Sequence, residues 1–206
     1  MSVNMKDVLT FWFGERFIEE RDHLSAIKQQ SRRWFKSTPE HDAQIKSLFE
    51  PLVLSASQGE LQSWRDTPQG RLALIVLLDQ FPRNIYRGSA QAFQYDPLAL
   101  DVALDTIDTA KTDFSFFERA ALYIPLQHSE DLQVQQRGVA CSAALTNEAP
   151  DAEWRDFLSG FENHARQHCD IIQRFGRFPH RNAVLSREST KEEQEYLTSG
   201  GARFGQ

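Results

Sequence analysis

The segment Arg71–Phe81 reads RLALIVLLDQF, apolar on every side between Arg71 at its start and Asp79-Gln80 near its end. A helix without a polar face has to be surrounded by other elements, so this segment is expected at the centre of a helical bundle. The flanking sequence supplies the surrounding helices. Asp7–Phe13 is a short amphipathic piece ending at Gly14, and Ser25–Phe35 follows with Ile27, Trp34 and Phe35 as its apolar positions. Thr38-Pro39, Thr67-Pro68 and Asp96-Pro97 each join a capping side chain to a proline suited to the first helical position. The helix behind Pro39 carries Ile45, Leu48, Phe49, Leu52 and Val53 on one stripe, and Pro51 is expected to kink or split it. The helix behind Pro97 turns Leu100, Ala103, Leu104 and Ile107 inward. Ser115-x-x-Glu118 is a capping box, and the helix it opens is expected to stop at Pro125. Ser129 reads as the cap of the next helix, with Glu130 and Asp131 in the first turn where the helix dipole favours acids. A long helix runs from about Asp151 to Phe175 and ends at Gly176. Ser189-x-x-Glu192 or Thr190-x-x-Glu193 opens a last short one.

Strand signals are scarce and connections are short, so the expected fold is all-α. It is a single domain over 1–206, with about eight or nine helices stacked as antiparallel hairpins. With 206 residues and 40% hydrophobic content, such a domain can bury a sizeable core without covalent staples. The net charge of −6 argues against general nucleic-acid binding, which needs surplus Lys and Arg to neutralise phosphates. Two cysteines, Cys141 and Cys169, do not make a secreted disulfide framework. The first residues lack the pattern of a signal peptide, and the longest apolar run, Leu72–Leu78, is too short to cross a bilayer. A cytoplasmic protein without nucleic-acid or membrane partners is expected.

The chemistry-bearing residues gather in a few places. On the helix Asp151–Phe175, Trp154, Leu158, Phe161, Ala165, His168, Ile172 and Phe175 recur at steps of three and four. His168 therefore lies within the apolar face and His164 on its flank. From Ile171 to Arg187 there are four arginines, no lysine and no acid: Arg174, Arg177, Arg181 and Arg187, with His180 and Asn182 among them. Arginine suits planar, two-pronged recognition of carboxylate or phosphate. Phe81-Pro82-Arg83-Asn84 echoes Phe178-Pro179-His180-Arg181-Asn182, and both read as helix stops. Asp79 falls on the inward side of its helix, where a carboxylate needs a partner, and His128 is left unexplained by capping. His164 and His168 at i, i+4 could bind zinc from one helix face, but no third ligand stands at a known spacing and no HExxH, CxxC, nucleophile motif or dinucleotide fingerprint occurs, so neither a metal nor a cofactor is expected.

Two readings follow. In one, Arg83, Asn84, Arg174, Arg177, Arg181 and Asn182 bind a small anionic ligand, a carboxylate or phosphate ester. His128, His168 or His180 would move a proton, with Asp79 and Glu130 orienting them. In the other, the arginines pair with the protein's own carboxylates as a structural core, and the helical stack is a scaffold for a protein or peptide partner.

The strings LLDQFPRNIYRG, ERAALYIPLQHSEDLQVQ and HCDIIQRFGRFPHRN resemble the bacterial domain-of-unknown-function family 924, from FWF near residue 11 to the final TKEEQEYL. The resemblance implies a tetratricopeptide-repeat-like all-α fold and no particular activity. Its motifs fall here on Asp79, Gln80, Arg83, Asn84, His128, Ser129, Glu130, His168, Arg174, Arg177, His180, Arg181 and Asn182. Where the family commonly reads LGR after the last motif, this chain has Leu185-Ser186-Arg187.

Overall fold

The computed structural model describes residues 3–15, 24–34 and 38–204, apart from the side chains of 31–34; the expected apolar positions Trp34 and Phe35 lie outside that set. All regular structure among the described residues is helical. The α-helices are α1 (Met5–Phe13), α2 (Leu24–Trp34), α3 (Pro39–Ser57), α4 (Pro68–Ile75), α5 (Phe81–Ile85) and α6 (Asp96–Thr109). They continue with α7 (Phe116–Leu122), α8 (Ile124–His128), α9 (Leu132–Asn147), α10 (Ala152–Phe175) and α11 (Lys191–Thr198). No helix among them is long and apolar enough to cross a membrane.

Most helix ends are where local chemistry puts them. The Thr38 and Thr67 hydroxyls accept the N–H groups of His41 and Gly70, with proline next in line. Ser115 with Glu118, and Thr190 with Glu193, close reciprocal capping boxes. Gly176 ends α10 in the left-handed conformation at φ 70°. The apolar helix α4 buries Leu72, Ala73, Leu74 and Ile75 and packs against α1, α6 and α7, which places it inside the bundle. Phe81, at the start of α5, meets the rings of Phe49 and Phe11 at 4.7 and 6.1 Å between centroids.

Several helix boundaries depart from the sequence expectation, for identifiable reasons. Pro51 does not split α3. It lies on the exposed side with Ser47, so the carbonyl left without an N–H partner faces water. Leu48 is 39% exposed and does not join the buried stripe. Phe81-Pro82 is not a helix stop. Proline clashes with the carbonyl four residues back in a regular helix, and here one widened π-turn, Val76–Gln80, absorbs the conflict. Phe81 N–H reaches back to the Val76 carbonyl, and α5 carries on. Pro125 opens α8 rather than closing α7. Asp131, not Ser129, caps α9, accepting the N–H groups of Gln133 and Val134 at 2.7 and 3.2 Å. Asp96 begins α6 without capping it.

The interior divides into a main apolar cluster around α4 and a smaller one made by Ile171, Ile172 and Phe178. Phe175, Tyr196 and Phe204 pack against the smaller cluster. The polar residues of interest collect along the seam between the two.

Candidate functional site

The π-turn delivers Asp79 to this seam with no exposed surface. Its carboxylate accepts a hydrogen bond from His128 Nδ1 at 2.7 Å, stands 3.3 Å from Arg83 Nη1 and also accepts from the Gln80 amide. Burial pushes this carboxyl up, but Arg83, His128 and Gln80 override it and hold it down at about 2. Arg83 sets a fork on Asp96, with Nη1–Oδ1 2.9 Å and Nη2–Oδ2 3.0 Å, and also donates to the Asp79 carbonyl. A charged fork of this kind outweighs a single capping hydrogen bond, which is why Asp96 leaves its helix N-terminus uncapped.

Arg181 arrives from the other side of the seam, on the turn Pro179–Arg181. Its Nη1 donates to the His128 carbonyl at 3.1 Å and lies 3.5 Å from Asp96 Oδ2. The guanidinium is sandwiched between Phe93 and Phe178, 4.5 and 4.4 Å from the ring centroids. Arg83 on α5 and Arg181 on its turn stand as a guanidinium pair, joined through Asp96 and the Phe93 ring. Arg181 is 6% exposed, and its Nε has no hydrogen-bond partner. Burial and the neighbouring Arg83 bring its pKa down to about 10, against the pull of Asp96, Glu130 and Asp79.

Three imidazoles border the same place. His128 is lowered by burial and by Arg83, against the pull of Asp79, which favours the neutral ring, with Nδ1–H donated to the carboxylate. His168 donates Nδ1–H to the His164 carbonyl at 2.7 Å, leaving Nε2 as the acceptor. Its pKa falls to about 3 through burial and then His128, and the two rings lie 6.0 Å apart, edge to face. His180 also falls to about 3, through burial and then Arg181. Its Nδ1 is buried without a partner.

His128 is clamped by its own backbone. It ends the short helix α8, whose last carbonyls have no helical partners. Gln135 Nε2 grips the Gln127 and Ser129 carbonyls, both at 2.6 Å, and Arg181 takes the one between them.

The remaining predicted residues are occupied elsewhere. Glu130 holds Arg187 by a fork at 2.6 and 3.0 Å and accepts the Phe178 N–H at 2.8 Å. Arg187 Nε donates to Asn182, whose amide donates to Ser189 and to Glu193. Arg177 forks onto Glu193 at 2.7 and 2.8 Å, and Arg174 meets Glu192 at 2.8 Å on the surface. These residues form a clasp that ties the turns after α10 to α11. Asn84 faces away, donating to Asp42, which also holds Arg87. The structure thus brings Asp79, Arg83, His128, His168, His180 and Arg181 together, and separates Asn84, Arg174, Arg177 and Asn182 from them. Among the described residues no group of three His, Cys, Asp or Glu side chains could hold a metal ion.

Ser186 stands at φ 53°, a left-handed conformation that favours glycine. Arg187 N–H closes that turn on the Asn182 carbonyl at 2.8 Å and aims the Arg187 side chain at Glu130.

Residues 8–201 match a family model described as "Bacterial protein of unknown function (DUF924)". The chain is also similar to the solved structure of a protein of unknown function, ATU0120, from Agrobacterium tumefaciens. The two are 34% identical with a TM-score of 0.78, over 95% of this chain and 97% of that one. No curated protein matches the chain significantly.

Proposed function

We propose that this chain, which belongs to the bacterial DUF924 family, binds a small carboxylate or phosphate ester at the seam, with Arg181 as the anchor and His128 as the group able to take a proton. One observation carries this reading. Three buried side-chain polar atoms among the described residues lack a partner, and two of them, His180 Nδ1 and Arg181 Nε, sit on adjacent residues of one turn. Leaving a buried donor or acceptor unmade costs about 1–3 kcal/mol, and an anionic oxygen accepting from Arg181 Nε would remove the larger part of that cost. His180 Nδ1 serves the same ligand as donor or acceptor according to its tautomer.

The surroundings fit the role. Arg83 is already held by Asp96 and Asp79, so it sets the local field rather than gripping the ligand. The Asp79–His128 pair has the form of a general base with its orienting carboxylate, the imidazole being fixed through both its ring and its backbone. Arg177, bound into the clasp, has no part in it.

A melting-temperature series against acetate, inorganic phosphate and simple phosphate esters tests the reading. An anion at about a hundred times its Kd adds about 2.7 kcal/mol to the native state, or about 5–10 °C for a chain of this size. The shift should vanish in Arg181→Met. A wild-type melting temperature flat against every anion defeats the proposal.

A further inference from the structure

Phe204 lies on the site as a substrate ring would. Its ring is parallel to that of His168, with centroids 3.6 Å and planes 18° apart. It meets Phe178 and His180 nearly at right angles, at 82° and 71°. One stacked face and two perpendicular neighbours border the ring on three sides of its slot, and the two perpendicular contacts have the edge-to-face geometry that aromatic quadrupoles favour. Phe178 is the shared wall: its ring borders Phe204 and also carries the Arg181 guanidinium.

The residue that fills the slot is weakly committed to it. Phe204 sits at φ 50°, a conformation unfavourable for a bulky side chain. The chain reaches it through Gly200 at φ 84° and Gly201, where a Cβ would lie 2.4 Å from the Tyr196 ring. The approach is held by three hydrogen bonds, Gly201 N–H to the Tyr196 carbonyl, Ala202 N–H to the Tyr196 hydroxyl and Arg203 Nη2 to the Leu197 carbonyl.

We infer that the anion anchored by Arg181 carries a planar aromatic ring, an aryl carboxylate, whose ring takes the place of Phe204 against His168. The inference rests on the proposed anion site and adds the class of its ligand. Phe204 competes for the slot, so the apparent affinity is reduced by the fraction of molecules in which its ring is seated. The residue thereby sets a threshold for occupancy as well as marking where the ligand ring lies.

Titration calorimetry with benzoate, cyclohexanecarboxylate and acetate, on the full chain and on Phe204→Ala, tests it. Benzoate should bind the wild type about tenfold more tightly than cyclohexanecarboxylate, the increment expected of an aromatic stack. Phe204→Ala should tighten benzoate further and leave acetate unchanged. In proton spectra, benzoate should leave the His168 ring resonances shielded, now by its own ring, and move the Phe204 resonances toward their free positions. If benzoate and cyclohexanecarboxylate bind alike, or Phe204→Ala weakens benzoate, the ring assignment is overturned while the anion site stands. If none of the three binds either protein, both fall.

Discussion

The arginines of one short stretch of chain are satisfied to opposite degrees. Arg174, Arg177 and Arg187 each end on a carboxylate in the clasp beside α11. Arg181, lying between them in sequence, is more buried than any of these, makes one hydrogen bond to a carbonyl, stands at 3.5 Å from a carboxylate and leaves Nε bare. Residue type and spacing are common to both groups. Placement of the acids is what differs. Glu130, Glu192 and Glu193 project toward the clasp, whereas Asp96 already holds Arg83 when Arg181 approaches. A satisfied guanidinium fastens structure, and the unsatisfied one is where the proposed anion site lies.

The sharpest way to break this comparison is through its hub. Asn182 is 1% exposed and joins Arg187, Ser189 and Glu193. Asn182→Ala should lower unfolding free energy in urea by about 2–3 kcal/mol, at roughly 1 kcal/mol per hydrogen bond, while leaving any anion response in place. An unchanged urea midpoint would show that the clasp does not fasten the fold.

Acid tests the other region. His168 and His180 drop from 6.5 to about 3 on folding. Between those values the unfolded chain binds protons that the native one does not, so stability falls as pH drops below 6.5. Each histidine adds a slope approaching about 1.4 kcal/mol per pH unit. Asp79, from 3.8 to about 2, and Glu193, from 4.5 to about 2, contribute stability above their unfolded values that is lost as pH falls toward 2. His168→Phe should flatten the decline between pH 6 and 4.5 in pH-stepped urea titrations; an identical slope would mean that this imidazole titrates normally.

Arg181→Met should change stability by less than about 1 kcal/mol, or raise it, because Asp96 keeps Arg83 and an apolar residue of similar length can replace a poorly compensated buried charge. Its effect should appear in ligand response alone. A loss comparable to that of Asn182→Ala would place Arg181 with the clasp. The smallest effect is expected at Ser186→Gly, a gain of about 0.5–1 kcal/mol from relief of the left-handed conformation, read as a small rise in melting temperature.

Helix positions were legible because their signals are local: a threonine and a proline, or a serine and a glutamate, act over one turn. The same locality concealed the site. Asp96 and Glu130 each stand where a capping role is sufficient, and only the folded chain shows them turned to Arg83 and Arg187. Arg181 and Arg177 could not be told apart, since their acids come from distant segments. Phe93, Gln135 and Phe204 had no signal, because each acts on residues brought near by folding. Asp79 and His128 were readable as residues needing partners, an inward acid and an unexplained imidazole, though not as partners of each other.

The π-turn at Val76–Gln80 also has a consequence for the register of the chain. A widened turn holds one residue more than the regular helix, so everything beyond it is rotated by about 100° relative to an unbroken helix. Deleting one residue from this turn would let it close into a regular α-turn with Phe81 still facing Phe11 and Phe49 and Arg83 still facing Asp96, but Pro82 would then meet the carbonyl four residues back. Core and site therefore share a single phase. The extra residue behaves as an insertion confined to its own turn: the helix on either side keeps one phase, and the widened turn spares Pro82 its clash.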